Sequence, residues 1–190
     1  ILAVREEYRD WIDIQLVAFP QSGILSSPGT SELMDEALKM GCDLVGGLDP
    51  ASFDGDVKGH LDAVFGLAEK HGAGIDIHLH DGGSLGLFEI GEIVARTKAS
   101  GMVGKVAVSH AYALGEVEPD ALARAADGLA AASVAIMTNA PGSHAFPPVA
   151  ALRAAGVTVF GGSDNIRDSW WPYGDGDMLN RANMIGYRSG

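Results

Sequence analysis

Apolar residues follow two rhythms along the chain. Short runs rich in β-branched and aliphatic residues predict strands over 13–19 (DIQLVAF), 43–48 (DLVGGL), 74–80 (GIDIHLH), 105–111 (KVAVSHA), 133–139 (SVAIMTN) and 157–164 (VTVFGGSD). Between them, apolar positions recur at helical spacing over 31–40, 56–71, 87–100, 119–131 and 147–155. In 56–71, Val57, Leu61, Val64, Phe65 and Ala68 mark one helix face, and Gly72 is the stop. Gly41, Gly101 and Gly156 end three further helices in the same way. Strands alternating with helices predict βα units around a parallel sheet. No linker, low-complexity segment or charge block divides them, so the expectation is one α/β domain over 1–190.

Polar residues with chemistry gather where the predicted strands end. Gln21, Asp49, His80 with Asp81, His110, Asn139 and Asp164 each fall at or just past a strand's C-terminal end. That edge is the catalytic face of a (β/α)₈ barrel and the ligand edge of an open doubly wound sheet. Taken singly, each has a plain structural role available. Asp49 and Asp120 are expected as helix N-caps. His60 and His71, on and near the end of a helix, are expected at the surface, and Trp171 and Phe160 to pack. As a set, imidazoles and carboxylates on three strands are metal-ligand types aimed at one centre. The segment GGSLG (82–86) lacks both the Walker lysine and the dinucleotide fingerprint.

Composition narrows the partners. The net charge of −12, without clustered cations, argues against nucleic acid, because neutralising phosphates needs grouped Lys and Arg. No apolar run reaches the roughly 18 residues of a membrane span, and the N-terminal residues do not read as a signal peptide. One cysteine, Cys42, excludes an internal disulfide and fits a reducing, cytoplasmic compartment. A small neutral or cationic substrate remains open.

GIDIHLHDGG (74–83) raises the question of whether His78 and His80 form the His-x-His clamp of a first barrel strand. Only three predicted strands follow, whereas a first strand needs seven. Counting back from VFGGSD as strand eight, where the amidohydrolase superfamily carries an Asp, makes GIDIHLH strand five and KVAVSHA strand six, the strands on which that superfamily carries single histidines. In that register the chain resembles the amidohydrolase superfamily, in its cytosine deaminase and N-isopropylammelide amidohydrolase branch. The resemblance rests on VAFPQ-G after the first predicted strand, on GIDIHLHD and VAVSHA, and on GSDNIRDSWWPYG (162–174).

The resemblance implies an incomplete TIM-type barrel of the metal-dependent hydrolase type. Strands three to eight are present, and the first two strands and the flanking β-domain are absent. It implies one divalent ion, Zn or Fe, with His78 and Asp164 among its ligands and two histidines of the first strand outside this sequence. It assigns catalytic roles to Asp81, His110 and Asp164, where Asp81 stands in for the branch's Glu with one methylene fewer. Gln21 and Trp170 correspond to substrate-binding positions, and Asn165 is a candidate second polar contact. His80 has no assigned role, and His144 either lines the pocket or serves the structure. The implied reaction is loss of an amine from an amidine-type carbon of a pyrimidine or triazine ring, through a metal-activated water. The alternative is a catalytically inactive or truncated barrel fragment with a binding or structural role. Free edges on the first and last strands make an isolated monomer unexpected; a homo-oligomer or further chain would cover them.

Overall fold

The computed structural model describes residues 1–142 and 144–189. It divides into two compact units, Ile1–Ile77 and His78–Gly190. In the first unit the order is α1 (Leu2–Tyr8), β1 (Val17–Ala18), α2 (Thr30–Lys39), β2 (Leu44–Leu48), α3 (Pro50–Asp54), α4 (Val57–His71) and the start of β3 (Gly74–Leu79). The second unit continues with α5 (Gly83–Ala99), β4 (Val106–His110), a 3-10 turn (Tyr112–Gly115), α6 (Pro119–Ala131), β5 (Ala135–Thr138), α7 (Val149–Ala154), β6 (Val159–Gly161) and α8 (Met178–Arg188).

The strands lie in one sheet in sequence order, β1-β2-β3-β4-β5-β6. Pairing is parallel between β1 and β2, between β4 and β5, and between β5 and β6. A doubly wound sheet reverses its strand order at a switch point. This one never does, so it is an incomplete (β/α) barrel rather than an open Rossmann-type sheet.

Side-chain alternation in β3 sets up everything downstream. Ile75, Ile77 and Leu79 are at most 1% exposed, each burial contributing about 1.5–3 kcal/mol. The period of two then sends Asp76, His78 and His80 to the opposite face. Two helix starts are fixed by side chains. Asp56 caps α4 by accepting from the Gly59 amide, and Asp177 caps α8 by accepting from Leu179 and Asn180.

Several elements differ from the sequence expectation. The first strand is two residues long rather than seven, because the Asp43 carboxylate takes the Leu16 N–H at 2.8 Å and is itself held by Arg5. Helix α5 begins at Gly83 rather than residue 87, and α1, α3 and α8 were not expected at all. Asp49 holds the N-cap position of α3 but makes no side-chain cap bond. Asp120 sits in the first turn of α6, whose cap is Glu118 because Pro119 occupies the first helical position. His60 is not a surface residue: it is fully buried, with Leu61 and Val64, on the inward stripe of α4. His71 is half-buried, 2.7 Å from the Asp35 carboxylate. Phe160 and Trp171, expected to pack, each remain 47% exposed. Among the described residues no helix is long and apolar enough to cross a membrane.

Candidate active site at the strand ends of the second unit

Three imidazoles meet where β3 and β4 end. His78 is the penultimate residue of β3, and His80 is the residue after its last. His110 closes β4. The ring centroids of His80 and His110 are 4.3 Å apart in a near-parallel stack, and His78 stands edge-on to His110 at 5.0 Å. Tyr112 meets both His80 and His110 edge-on, at 5.5 and 5.6 Å. His144 lies flat on Tyr112 with ring centroids 5.1 Å apart. So His144, undecided from sequence, joins the aromatic wall, and His80 packs on a catalytic candidate at the exposed rim.

Asp164 completes the cluster three residues beyond β6. Its Oδ1 lies 3.9 Å from His110 Nε2, outside direct hydrogen-bonding range. Its Oδ2 accepts a 2.8 Å bond from Asn139 Nδ2, which rises from the end of β5. Burial pushes the Asp164 carboxyl above its ordinary pKa, while His78 and His80 pull it down. Asn139 is itself buried, and its Oδ1 has no partner among the described residues. Sequence reading had placed Asn139 at a strand end without giving it a role.

Backbone strain is concentrated at the same edge. His110 has φ +73°, Ala111 +46°, Ala140 +47° and Asp164 +63°, all in the left-handed region that costs a side-chain-bearing residue energy. Two arginines of α8 hold this geometry. Arg181 donates to the carbonyls of Asn139 at 2.6 Å and Ser163 at 3.3 Å, the residues beside and before the strained pair. Arg188 donates to the carbonyls of Pro141 and His144 and lies over the Phe146 ring. Neither arginine was foreseen. Their partners lie 18 to 47 residues away, and nothing in the local pattern announces them.

Asp81 follows His80 directly. The N-cap position of α5 is Gly82, and the Gly83 amide is taken by Glu116 Oε2 at 2.8 Å. The Asp81 backbone is locked from below: a Cβ on Gly86 would stand 2.0 Å from the Asp81 carbonyl oxygen. Asn165 donates to Asp168 at 2.8 Å, and Asp168 also accepts from the Trp170 and Trp171 amides. Those bonds hold the Asp168 carboxyl below its ordinary pKa and fix the turn that presents Trp170, 70% exposed. Gln21 belongs to the first unit, exposed in the loop after β1.

A parallel βα arc with His, His and Asp at its C-terminal strand ends is the layout of a barrel hydrolase. The amidohydrolase family model matches residues 1–189, and the chain belongs to that family. It is 38% identical over 182 residues to the N-isopropylammelide isopropyl amidohydrolase of Pseudomonas sp. (strain ADP), covering 96% of this chain and 45% of that protein. Among solved structures it resembles N-isopropylammelide isopropylaminohydrolase from Burkholderia multivorans, with 47% identity and a TM-score of 0.97 over 99% of this chain and 48% of that one. It also resembles 5-methylcytosine deaminase from Klebsiella pneumoniae liganded with phosphonocytosine, with 30% identity and a TM-score of 0.81 over 98% of this chain and 51% of that one. The chain thus spans about half the length of these relatives.

The family implies a divalent metal ion. The donor types here fit one: imidazoles beside a carboxylate whose affinity for a proton is raised by burial. Their number falls short of a full set, since among the described residues no three His, Cys, Asp or Glu side chains form a group able to hold an ion.

Proposed function

We propose that this chain is the greater part of the catalytic barrel of a hydrolase that removes an amine from an amidine-type carbon of a triazine or pyrimidine ring. The observation that carries the reading is the convergence of His78, His80, His110 and the Asn139-held Asp164 on one strand-end edge of an amidohydrolase. The names of the relatives, acting on N-isopropylammelide and on 5-methylcytosine, favour a nitrogen heterocycle.

His78 and Asp164 would contribute ligands to the ion. When bound, a Zn or Fe ion supplies acidity to a coordinated water, bringing its pKa towards ~7. The chain's own groups do the rest. Asp164, oriented by Asn139 Nδ2, accepts the proton that the attacking water gives up. His110 Nε2, which faces Asp164, stabilises the negative charge that develops on the attacking oxygen. Asp81 gives its proton to the ring nitrogen. It then takes the hydroxyl proton of the tetrahedral adduct as the C–N bond breaks and passes it to the leaving amine, and is restored by the proton that Asp164 had taken from the water. Gln21 has both a donor and an acceptor for the amide-like edge of the ring, Asn165 offers a second polar contact, and Trp170 a flat apolar wall.

The test is turnover by the full-length protein. Ammelide-type triazines bearing an N-alkyl group, cytosine and isocytosine are offered separately, and released amine or ammonia is measured alongside metal content. Release from at least one ring, abolished by chelation and restored by Zn or Fe, is the expected result. A metal-loaded protein that leaves every ring intact would overturn the reading.

A further inference from the structure

The first unit contains a buried acid–base pair that the reaction above does not use. Asp54, at the end of α3, and His60, in α4, have fully buried side chains, with His60 Nδ1 2.6 Å from Asp54 Oδ2. The same carboxylate reaches across about 30 residues to the loop after β1. It accepts from the amides of Ile24 at 3.1 Å, Leu25 at 3.2 Å and Ser26 at 2.9 Å, and lies 2.7 Å from the Ser26 hydroxyl. That hydroxyl is also 3.1 Å from the Ser22 carbonyl; with one proton it donates to the nearer carboxylate.

Three successive amides converge on a single anion, as in a backbone anion nest, but here the anion is part of the chain. The loop turns immediately before this anchor, through a bond from the Gly23 amide to the Pro20 carbonyl that places Gln21 and Ser22 at the turn's centre. Gly23 has φ +88°, and a Cβ there would stand 2.4 Å from Asp54 Oδ1, so the turn and the anchor are built as one piece. Burial pushes the His60 pKa down against the pull of Asp54, which leaves a neutral ring donating from Nδ1.

We infer that the Asp54–His60 pair positions Gln21 for the ring of the substrate, by clamping residues 24–26 behind the turn that carries it. The inference rests on the proposed function for its substrate end, since Gln21 is the ring contact assigned there. Asp54 and His60 touch no reacting atom; they act through the loop. The expected consequence is selective. A loosened Gln21 loses binding made equally to ground and transition states, which raises KM and spares kcat.

Hydrogen–deuterium exchange and steady-state kinetics on the full-length protein test this together. In Asp54→Asn the amides of 24–26 should exchange about tenfold faster or more, with KM raised about tenfold and kcat within about threefold. If that variant fails to fold, Ser26→Ala, at an exposed position, carries the test with the same signs at about threefold. Unchanged exchange at 24–26 in either folded variant overturns the clamp. A Gln21→Ala protein with unchanged KM overturns the inference at its substrate end while the proposed reaction stands. Absence of turnover in the wild type would overturn the proposed function instead, and the exchange rates would still decide the clamp.

Discussion

Replacing Asn139 by Ala removes one bond and little else. The residue is buried, and its Nδ2 donates at 2.8 Å to an Asp164 side chain that is 22% exposed. A hydrogen bond to a charged acceptor contributes about 1.5–3 kcal/mol, and partial access of water to Asp164 favours the lower end, about 1.5 kcal/mol. In a full-length protein about twice as long as this chain, as its relatives are, that corresponds to a fall in Tm of about 1.5–3 °C. If the bond also holds Asp164 through the transition state, the same energy is about a tenfold loss in kcat/KM. Asn139→Asp should be worse on both counts, since it sets a second carboxylate against the first. Thermal melts and amine-release kinetics on the full-length protein give the two numbers. An Asn139→Ala protein within twofold of wild-type kcat/KM would refute the claim that Asn139 orients Asp164.

Three further outcomes follow from packing and charge. Gly86→Ala must push against the Asp81 carbonyl and the Ala113 side chain, so it should cost about 1–3 kcal/mol in denaturant melts and lower kcat by displacing Asp81; full stability would contradict the packing. Leu152→Ala, at a fully buried position of α7, should cost about 2–5 kcal/mol with KM unchanged, and a change in KM would show that α7 reaches the site. Asp54 and His60 both have folded pKa values below their ordinary ones. For Asp54 the upward push of burial is outweighed by the Ser26, His60 and Ile24 donors, and for His60 burial outweighs the pull of Asp54. The unfolded chain therefore takes up these protons first as the pH falls. The pair's stability is complete above about pH 6.5 and is lost as the pH drops through that value and again below about 4. Denaturant melts at pH 8 and 5.5 should show a larger loss in wild type than in His60→Asn, and equal losses would contradict the burial of a neutral ring.

The strand order and most strand-end residues could be read from sequence because a parallel βα arc writes itself in local periods. Apolar runs mark the strands, 3.6-residue spacing marks the helices between, and polar residues cluster where the one gives way to the other. His78 and His110 were legible for that reason, and so was Asp164. His60 was misjudged although its position carried the signal: it sits four residues before Val64 and eight before Ala68, inside the buried stripe of α4. A polar residue on such a stripe is evidence of a buried partner, and Asp54 is that partner. The residues that hold the site together were beyond reach of any local pattern. Arg181 and Arg188 act on carbonyls, which every residue has, and α8 announces itself only through the Asp177 cap. The shortness of β1 was hidden for a similar reason, since one carboxylate on Asp43 replaces a ladder bond that the apolar pattern alone predicts.

The role of Asp81 separates a working proton-transfer site from a barrel with the right shape. The measurement that decides it pairs turnover with metal content in Asp81→Asn of the full-length protein, assayed on the ring that the wild type handles best. Loss of a group that carries the proton to ring nitrogen and leaving amine should lower kcat by about 10²–10⁴-fold while bound metal stays at the wild-type level. Near-normal kcat in the variant would contradict the account, because the residue after His80 would then serve the backbone and not the chemistry.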